Sequence, residues 1–199
     1  MASSGQVLEN PRRKERVTFL RTAQDTDGEL LEMLVEEEPT TAHPPLHYHP
    51  HQQERMEVIS GVLDYRLGDR VSTARTGEAV VVEKGAAHTW WNSGSEPLVI
   101  RVELRPALGF ETFMETIYGL TKTGRVNREG VPNLLQAAVL FRAFRREWVP
   151  LFLPRPVRDL LIPILALAGK AVGYRAWYPE FSPSGPASVS PSTRSRAHG

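Results

Sequence analysis

The sequence predicts a mainly β domain of the sandwich or barrel type, followed by an α-helical extension. Between residues 56 and 104, short apolar runs are separated by closely spaced glycines, and many short strands with frequent glycine turns are typical of such folds. In the segment 98–104 (LVIRVEL), apolar residues at alternate positions predict a strand with one face in the core. After Pro106 the apolar period lengthens to about 3.6 residues, which predicts helices.

Composition limits the functions that the chain can perform. It has 199 residues, with 24 Lys and Arg against 23 Asp and Glu. This length favours one domain with extensions, and the near-balance of charge argues against nucleic-acid binding. Cysteine is absent, so a metal site would have to use His, Asp or Glu side chains. No apolar run follows Met1, so we expect no signal peptide and a soluble, cytoplasmic protein.

The first part of the chain contains a predicted tail and two predicted strands. Residues 1–15 are polar and basic, which predicts a flexible tail. Strands are predicted over 16–21 (RVTFLR) and 29–35 (ELLEMLV). The prolines of segment 36–45 (EEEPTTAHPP) prevent a helix there. We place the predicted barrel at 16–106.

The predicted helical extension covers residues 107–181 and packs on the barrel. Apolar residues from Phe110 to Leu120 have helical spacing, and Pro132 suits the first turn of a second helix that runs to about Trp148. A third helix is expected after Pro156. Its apolar part is too short to span a bilayer, so packing on the barrel or in a dimer interface is favoured over membrane contact. Residues 182–199 are rich in Ser, Pro and Arg, which predicts a disordered tail.

Two histidines and a glutamate in the first half of the chain are candidate metal ligands. His47 and His49 are two residues apart, so on a strand their side chains point to the same face. Glu54 follows at an odd spacing and would face the other way on an unbroken strand. We infer a break or bulge at residues 50–53, beginning at Pro50, that turns Glu54 inward. His51 forms an alternative pair with His49 but is interpreted as an exposed loop residue.

A fourth ligand is expected from a second strand. Outside the histidine cluster at 43–51, His88 is the only histidine before the C-terminal tail. It begins the strand-like run 88–92 (HTWWN), in which Trp90 and Asn92 share its face. Trp90 is a candidate wall of a pocket, with ordinary core packing equally expected. For Asn92 we favour a structural hydrogen bond.

These residues resemble the two motifs of the cupin superfamily. The first motif corresponds to His47-x-His49-x4-Glu54-x6-Gly61, and the second to Gly77-x5-Glu83-x-Gly85-x2-His88-x3-Asn92. Two turn positions depart from the family pattern, where Thr41 replaces a glycine and Glu83 replaces a proline. The resemblance implies a cupin-type double-stranded β-helix, or jelly-roll barrel, with a metal near its centre. It also implies that the metal ligands are His47, His49, Glu54 and His88.

This ligand set suits one divalent transition metal: Fe, Mn, Ni, Cu or Zn. One or two coordination positions would remain for substrate, water or dioxygen. The resemblance therefore implies a metal-dependent enzyme, for which we expect a dioxygenase similar to the flavonol-cleaving cupins. Glu54 is the candidate catalytic base. Inward-facing Met56 and Val58, together with Trp90, are the expected substrate-binding wall for a small hydrophobic or aromatic molecule.

Two other functions remain open. One is a redox-neutral isomerase, cyclase or lyase in which the same metal acts as a Lewis acid. The other is a binding or sensor module that uses the cavity without turnover. The expected partner is a small molecule, with no nucleic acid and no membrane, and a homodimer is plausible because cupin barrels often pair through their sheets.

Overall fold

The structure is a computed structural model, in which residues 2–40, 43–128 and 130–182 are described. Its strands precede its helices, as the sequence predicts, except for the short β11, which lies between the second and third helices. They are β1 (Val7–Asn10), β2 (Glu15–Arg21), β3 (Leu31–Glu37), β4 (His47–Tyr48), β5 (Gln53–Ser60), β6 (Val62–Leu67), β7 (Arg70–Arg75), β8 (Ala79–Val82), β9 (His88–Trp91), β10 (Leu98–Arg105), α1 (Phe110–Lys122), α2 (Leu134–Ala143), β11 (Val149–Pro150) and α3 (Arg155–Ala171).

The strands form two antiparallel sheets. One has the order β1-β2-β3-β10-β5-β8 and the other β11-β4-β9-β6-β7. Alternate residues of β3 and β10 are buried, which is the period-two pattern of a sheet with one face in the core. Fully buried side chains such as Phe19, Leu63 and Ile100 fill the interior. The predicted fold class, a jelly-roll barrel with a helical extension, is confirmed.

The side chain of Glu54 on β5 points into the barrel, as predicted. Residues 49–52 belong to no strand and separate β4 from β5. On β5, Glu54 is buried while Arg55 is half-exposed. At the end of β5, Gly61 has φ of +88°, and a Cβ atom there would lie 2.7 Å from the carbonyl oxygen of Pro97. Only glycine fits this turn without strain, because the backbone is left-handed and the neighbouring chain is close.

The flexible tail predicted for residues 1–15 is wrong over part of its length. Residues 7–10 form β1, an edge strand that pairs with β2 from Val7↔Thr18 to Asn10↔Glu15. Gln6 Nε2 also donates a 2.8 Å hydrogen bond to Glu115 on α1. Main-chain pairing holds this polar segment in place, and main-chain pairing does not require an apolar sequence.

The helices cover one end of the barrel. The predicted second helix ends at Ala143 rather than near Trp148, because residues 149–150 pair with β4 as β11 instead. Helices α2 and α3 pack tightly, since a Cβ atom on Gly169 would lie 2.7 Å from the carbonyl oxygen of Leu135. Apart from Ser182, the tail predicted for residues 182–199 lies outside the described residues.

Helix α3 has an exposed apolar face. None of the helices in the described ranges has the combination of length and apolarity needed to cross a membrane. The cytoplasmic location and the homodimer remain predictions. The exposed apolar side chains of α3 are Val157, Leu160, Leu161, Ile164 and Leu167.

Candidate metal centre

Three buried histidines converge inside the barrel. His47 lies on β4 and pairs directly with His88 on β9, and His49 follows β4 where the strand ends. One ring nitrogen from each side chain lies within 4.8 Å of the other two. The ring centroids of His47 and His88 are 4.3 Å apart, and that of His49 is 5.1 Å from each. The structure therefore brings together the three histidines that the sequence selects.

The three imidazoles are oriented by main-chain carbonyl groups. Nδ1 of His47 lies 2.8 Å from the oxygen of Pro45, and Nδ1 of His88 lies 3.0 Å from that of Ala86. For His49 the partner is the carbonyl oxygen of Glu147, at 2.5 Å. Because a carbonyl oxygen can only accept, each Nδ1 must carry the proton. In the neutral ring this leaves Nε2 with a free lone pair, as metal ligation requires.

Glu54 meets two of these histidines. Its Oε2 atom lies 2.8 Å from Nε2 of His88 and 3.5 Å from Nε2 of His49. Within the described chain, neither Oε2 of Glu54 nor Nε2 of His88 has a hydrogen-bond partner of good geometry. A carboxylate oxygen and an imidazole lone pair repel each other at this distance unless a proton or a metal ion lies between them.

The residues fit a metal ion. Two ligand atoms that each lie about 2.1 Å from one ion, at right angles to each other, are about 3 Å apart. The 2.8 and 3.5 Å contacts of Glu54 are close to that spacing. Three neutral imidazoles and one carboxylate form a nitrogen and oxygen donor set that divalent first-row metals accept. The donor set and its burial do not select one metal among them.

Electrostatics favour the ligand forms of His47 and Glu54. Burial, reinforced by the neighbouring imidazoles, holds the pKa of His47 well below its usual value, so its ring stays neutral. For Glu54, burial alone would raise the pKa, but contacts with His49 and His88 outweigh it and hold the pKa well below the usual value. Glu54 is therefore ionised at neutral pH and supplies the negative charge of the site.

A cavity of about 220 Å³ opens beside this cluster. His47, His49 and Glu54 form part of its lining, whereas His88 does not. Most of the wall is apolar and comes from both the barrel and the helices. Its aromatic members are Trp90, Phe110, Phe113, Tyr118, Phe141 and Trp148.

The structure separates the three residues predicted as a substrate wall. Trp90 lines the cavity, with the guanidinium of Arg13 5.1 Å from its ring centre. Met56 and Val58 were expected beside it, but they are outside the lining in the part of the chain described and are only 1% exposed in the core. Their assignment is corrected because an inward direction places a side chain either at the cavity or at the packed end of the barrel.

The helical extension supplies contacts that the sequence did not reveal. Trp148 lies against His47, with ring centroids 5.0 Å apart, and Phe110 meets His49 edge-on at 5.6 Å. The carbonyl contact of Glu147 leaves no signal in a sequence, because any residue can make it. The apolar face predicted for α1 does contain Phe110 and was the available signal for that contact.

Two further residues singled out by the sequence have the expected places. His51 is exposed and lies outside the histidine cluster among the described residues. The side-chain amide of Asn92 donates to the carbonyl oxygens of Glu37 and Glu96, at 3.1 and 3.0 Å. Asn92 therefore holds the loop after β9 and does not reach the metal ligands.

Residues 33–104, from β3 to the last residues of β10, match the family described as Cupin domain. Over these residues the barrel is therefore similar to the cupin family. A protein named as an oxidoreductase from Arthrobotrys oligospora is 26% identical over 155 residues, which are 70% of this chain and 59% of that protein. The chain thus spans less than two thirds of the length of this curated relative.

Three solved structures are similar in fold to about half of this chain. One from Klebsiella pneumoniae, described as an uncharacterized conserved protein with a double-stranded β-helix domain, is 22% identical, with a TM-score of 0.41 over 54% of this chain and 83% of its own. A predicted oxalate decarboxylase from Thermotoga maritima is 15% identical, with a TM-score of 0.46 over 53% of this chain and 98% of its own. A sugar phosphate isomerase from Silicibacter pomeroyi is 18% identical, with a TM-score of 0.44 over 51% and 71%.

Proposed function

We propose that the protein is a metal-dependent enzyme that acts on a small hydrophobic or aromatic molecule, with oxygen-dependent cleavage as the leading reaction. The observation that carries this proposal is the arrangement of three imidazole Nε2 atoms and the Glu54 carboxylate at the side of an aromatic cavity. A divalent metal held by His47, His49, Glu54 and His88 would supply a Lewis acid that activates a substrate oxygen and, where the metal is redox-active, dioxygen.

The chain's own residues then bind and orient the substrate. Trp90 on β9 and Trp148 after α2 both contribute aromatic surface to the cavity, which favours an aromatic ring over a charged or sugar-like ligand. The volume of about 220 Å³ is below the roughly 300 Å³ at which pockets for drug-sized ligands begin. We therefore expect a substrate of one or two rings.

Glu54 is proposed to accept the substrate proton. Its carboxylate lines the cavity beside the histidines, within reach of a hydroxyl or an acidic C–H group placed there. The apolar wall excludes water from that proton transfer. The oxidoreductase name of the Arthrobotrys relative supports a redox reaction, while the same ligands suit Zn(II) and a redox-neutral isomerase, cyclase or lyase equally well.

Metal analysis combined with oxygen uptake tests the proposal. The purified protein is expected to bind one transition metal per chain, and His88→Ala should abolish stoichiometric binding. The iron-loaded protein should consume oxygen with a catechol- or flavonol-type compound, and His88→Ala should not. His51→Ala is the matched control, because His51 is exposed and lies outside the cluster; it should keep both properties.

The possible results separate the candidate functions. Turnover that persists without oxygen supports the redox-neutral enzyme. Tight binding without product in any metal form supports a sensor. If no Fe, Mn, Ni, Cu or Zn ion binds stoichiometrically, all catalytic versions are refuted.

A further inference from the structure

One residue of the helical extension, Glu147, forms hydrogen bonds both to a histidine of the cluster and to the start of α1. Its main-chain oxygen accepts the 2.5 Å hydrogen bond from Nδ1 of His49. Its side-chain Oε1 accepts a 3.1 Å hydrogen bond from the main-chain N–H of Gly109, the residue that caps the start of α1. Glu147 is only 8% exposed, so both contacts lie inside the molecule.

These contacts differ from those of the other two histidines. The carbonyl groups beside His47 and His88 belong to residues two positions earlier on the same segment, Pro45 and Ala86. The partner of His49 is 98 residues away. The orientation of His49 therefore depends on the docking of the extension, whereas His47 and His88 are oriented locally.

The side chain of Glu147 joins the two parts of the extension that touch His49. Gly109 precedes Phe110, whose ring lies edge-on to His49 at 5.6 Å. Beyond Glu147, the chain pairs as β11 with β4, with Pro150 opposite His47. The Gly109 contact thus fixes the start of α1 to the segment that presents the carbonyl to His49.

We propose that Glu147 is a positioning residue that holds His49 in the Nδ1–H form, with Nε2 free, so that the helical extension completes the metal centre. The hydrogen bond to Gly109 keeps the Glu147 carbonyl in place. When it is lost, the imidazole of His49 can rotate or move its proton to Nε2, and the site then has two oriented histidines. The consequence for metal binding rests on the proposed function, while the state of the His49 ring does not.

The test uses the full chain and the pair of variants Glu147→Ala and Glu147→Gln. Removal of groups that orient a ligand histidine weakens metal binding by about 10- to 100-fold. We expect a loss of about tenfold in Zn(II) affinity for Glu147→Ala. Glu147→Gln keeps a side-chain oxygen that can accept from Gly109, so it should remain within about threefold of the original protein.

A second variant controls for general damage to the extension. Gln136 on α2 is buried, and its side chain bonds the carbonyl oxygen of Arg175 and the hydroxyl of Tyr178. Gln136→Ala therefore removes buried hydrogen bonds of the extension without touching His49 or Gly109. If it weakens Zn(II) binding as much as Glu147→Ala does, the specific role of Glu147 is refuted.

The ring of His49 provides a readout that needs no metal. In the metal-free protein, ¹H–¹⁵N spectra of labelled histidine should show His49 in the Nδ1–H form, and Glu147→Ala should shift it toward a mixture. A predominantly Nε2–H form in the original protein, or an unchanged spectrum in Glu147→Ala, overturns the proposal. Absence of Zn(II) binding together with the expected spectra would instead refute the proposed metal centre and leave the positioning role intact.

Discussion

Glu37 should make the stability of the fold depend on pH near neutrality. It ends β3, is 1% exposed, and its Oε1 lies 2.9 Å from Nη2 of Arg13. Arg13 is shared with Glu15, at 2.7 Å. Burial raises the pKa of Glu37 from the usual 4.5 to about 7, against the opposing effect of Arg13. The buried carboxyl therefore binds a proton more tightly in the folded than in the unfolded protein.

The sign and size of the effect follow from that difference. A group whose folded-state pKa is raised stabilises the fold fully below its unfolded pKa, and the stabilisation is lost as pH rises through the folded value. With 4.5 in the unfolded and about 7 in the folded protein, the linkage relation gives a loss of about 2.5 kcal/mol between roughly pH 5 and pH 8. Because the side chain is fully buried, no large reduction for solvent screening applies.

Urea unfolding at a series of pH values measures this contribution. Glu37→Gln is neutral at all these pH values, so its free energy of unfolding should lack the Glu37 part of the decline. From pH 5 to pH 8, the free energy of unfolding of Glu37→Gln should therefore rise by about 2.5 kcal/mol relative to that of the original protein. Glu36→Gln is the matched control, since Glu36 is the outward neighbour on the same strand, with its side chain 38% exposed. Parallel curves for Glu37→Gln and the original protein would refute the reasoning.

Two other substitutions test the cavity and the core. Tyr118 is 4% exposed and its hydroxyl has no hydrogen-bond partner within the described chain, so Tyr118→Phe should raise the free energy of unfolding by about 1 kcal/mol; a loss of stability in urea would contradict this. Met56 is 1% exposed in the core, so Met56→Ala should lower the free energy of unfolding by about 2–5 kcal/mol. It should leave the affinity for catechol-type probes unchanged. Trp90→Ala should instead weaken probe binding. If Met56→Ala weakened it equally, Met56 would be a substrate-binding residue after all.

The sequence was sufficient to predict which side chains point toward the candidate metal centre. The period-two rule paired His47 with His49, and Pro50 supplied the break that turned Glu54 inward, where it is buried. These inferences succeeded because side-chain direction on a strand depends on local geometry alone. The resemblance to cupins then joined His88 to the same site, across a pairing that local geometry could not predict.

The failures share a physical cause. Met56 has the predicted direction, but depth along the barrel decides whether an inward side chain meets the cavity, and depth depends on how the sheets close. Val7 pairs with Thr18 through the main chain, and the side chain of His49 bonds the main-chain oxygen of Glu147. Such contacts depend on where distant segments meet and carry almost no residue preference, so the sequence pattern cannot reveal them.

The shortness of strand β4 explains why the helical extension is needed to hold His47 and His49 in place. Strand β4 has two residues, and His47↔His88 is its one register pair with β9. So short a strand has few ladder hydrogen bonds to hold its histidines, and an isolated pair of this kind is marginal in water. Its other edge is closed by β11, and Leu151 donates a further 2.9 Å bond to the carbonyl oxygen of Leu46. The barrel thus supplies the candidate ligand atoms, while the segment after α2 pairs with the strand that carries His47 and presents the carbonyl oxygen that orients His49.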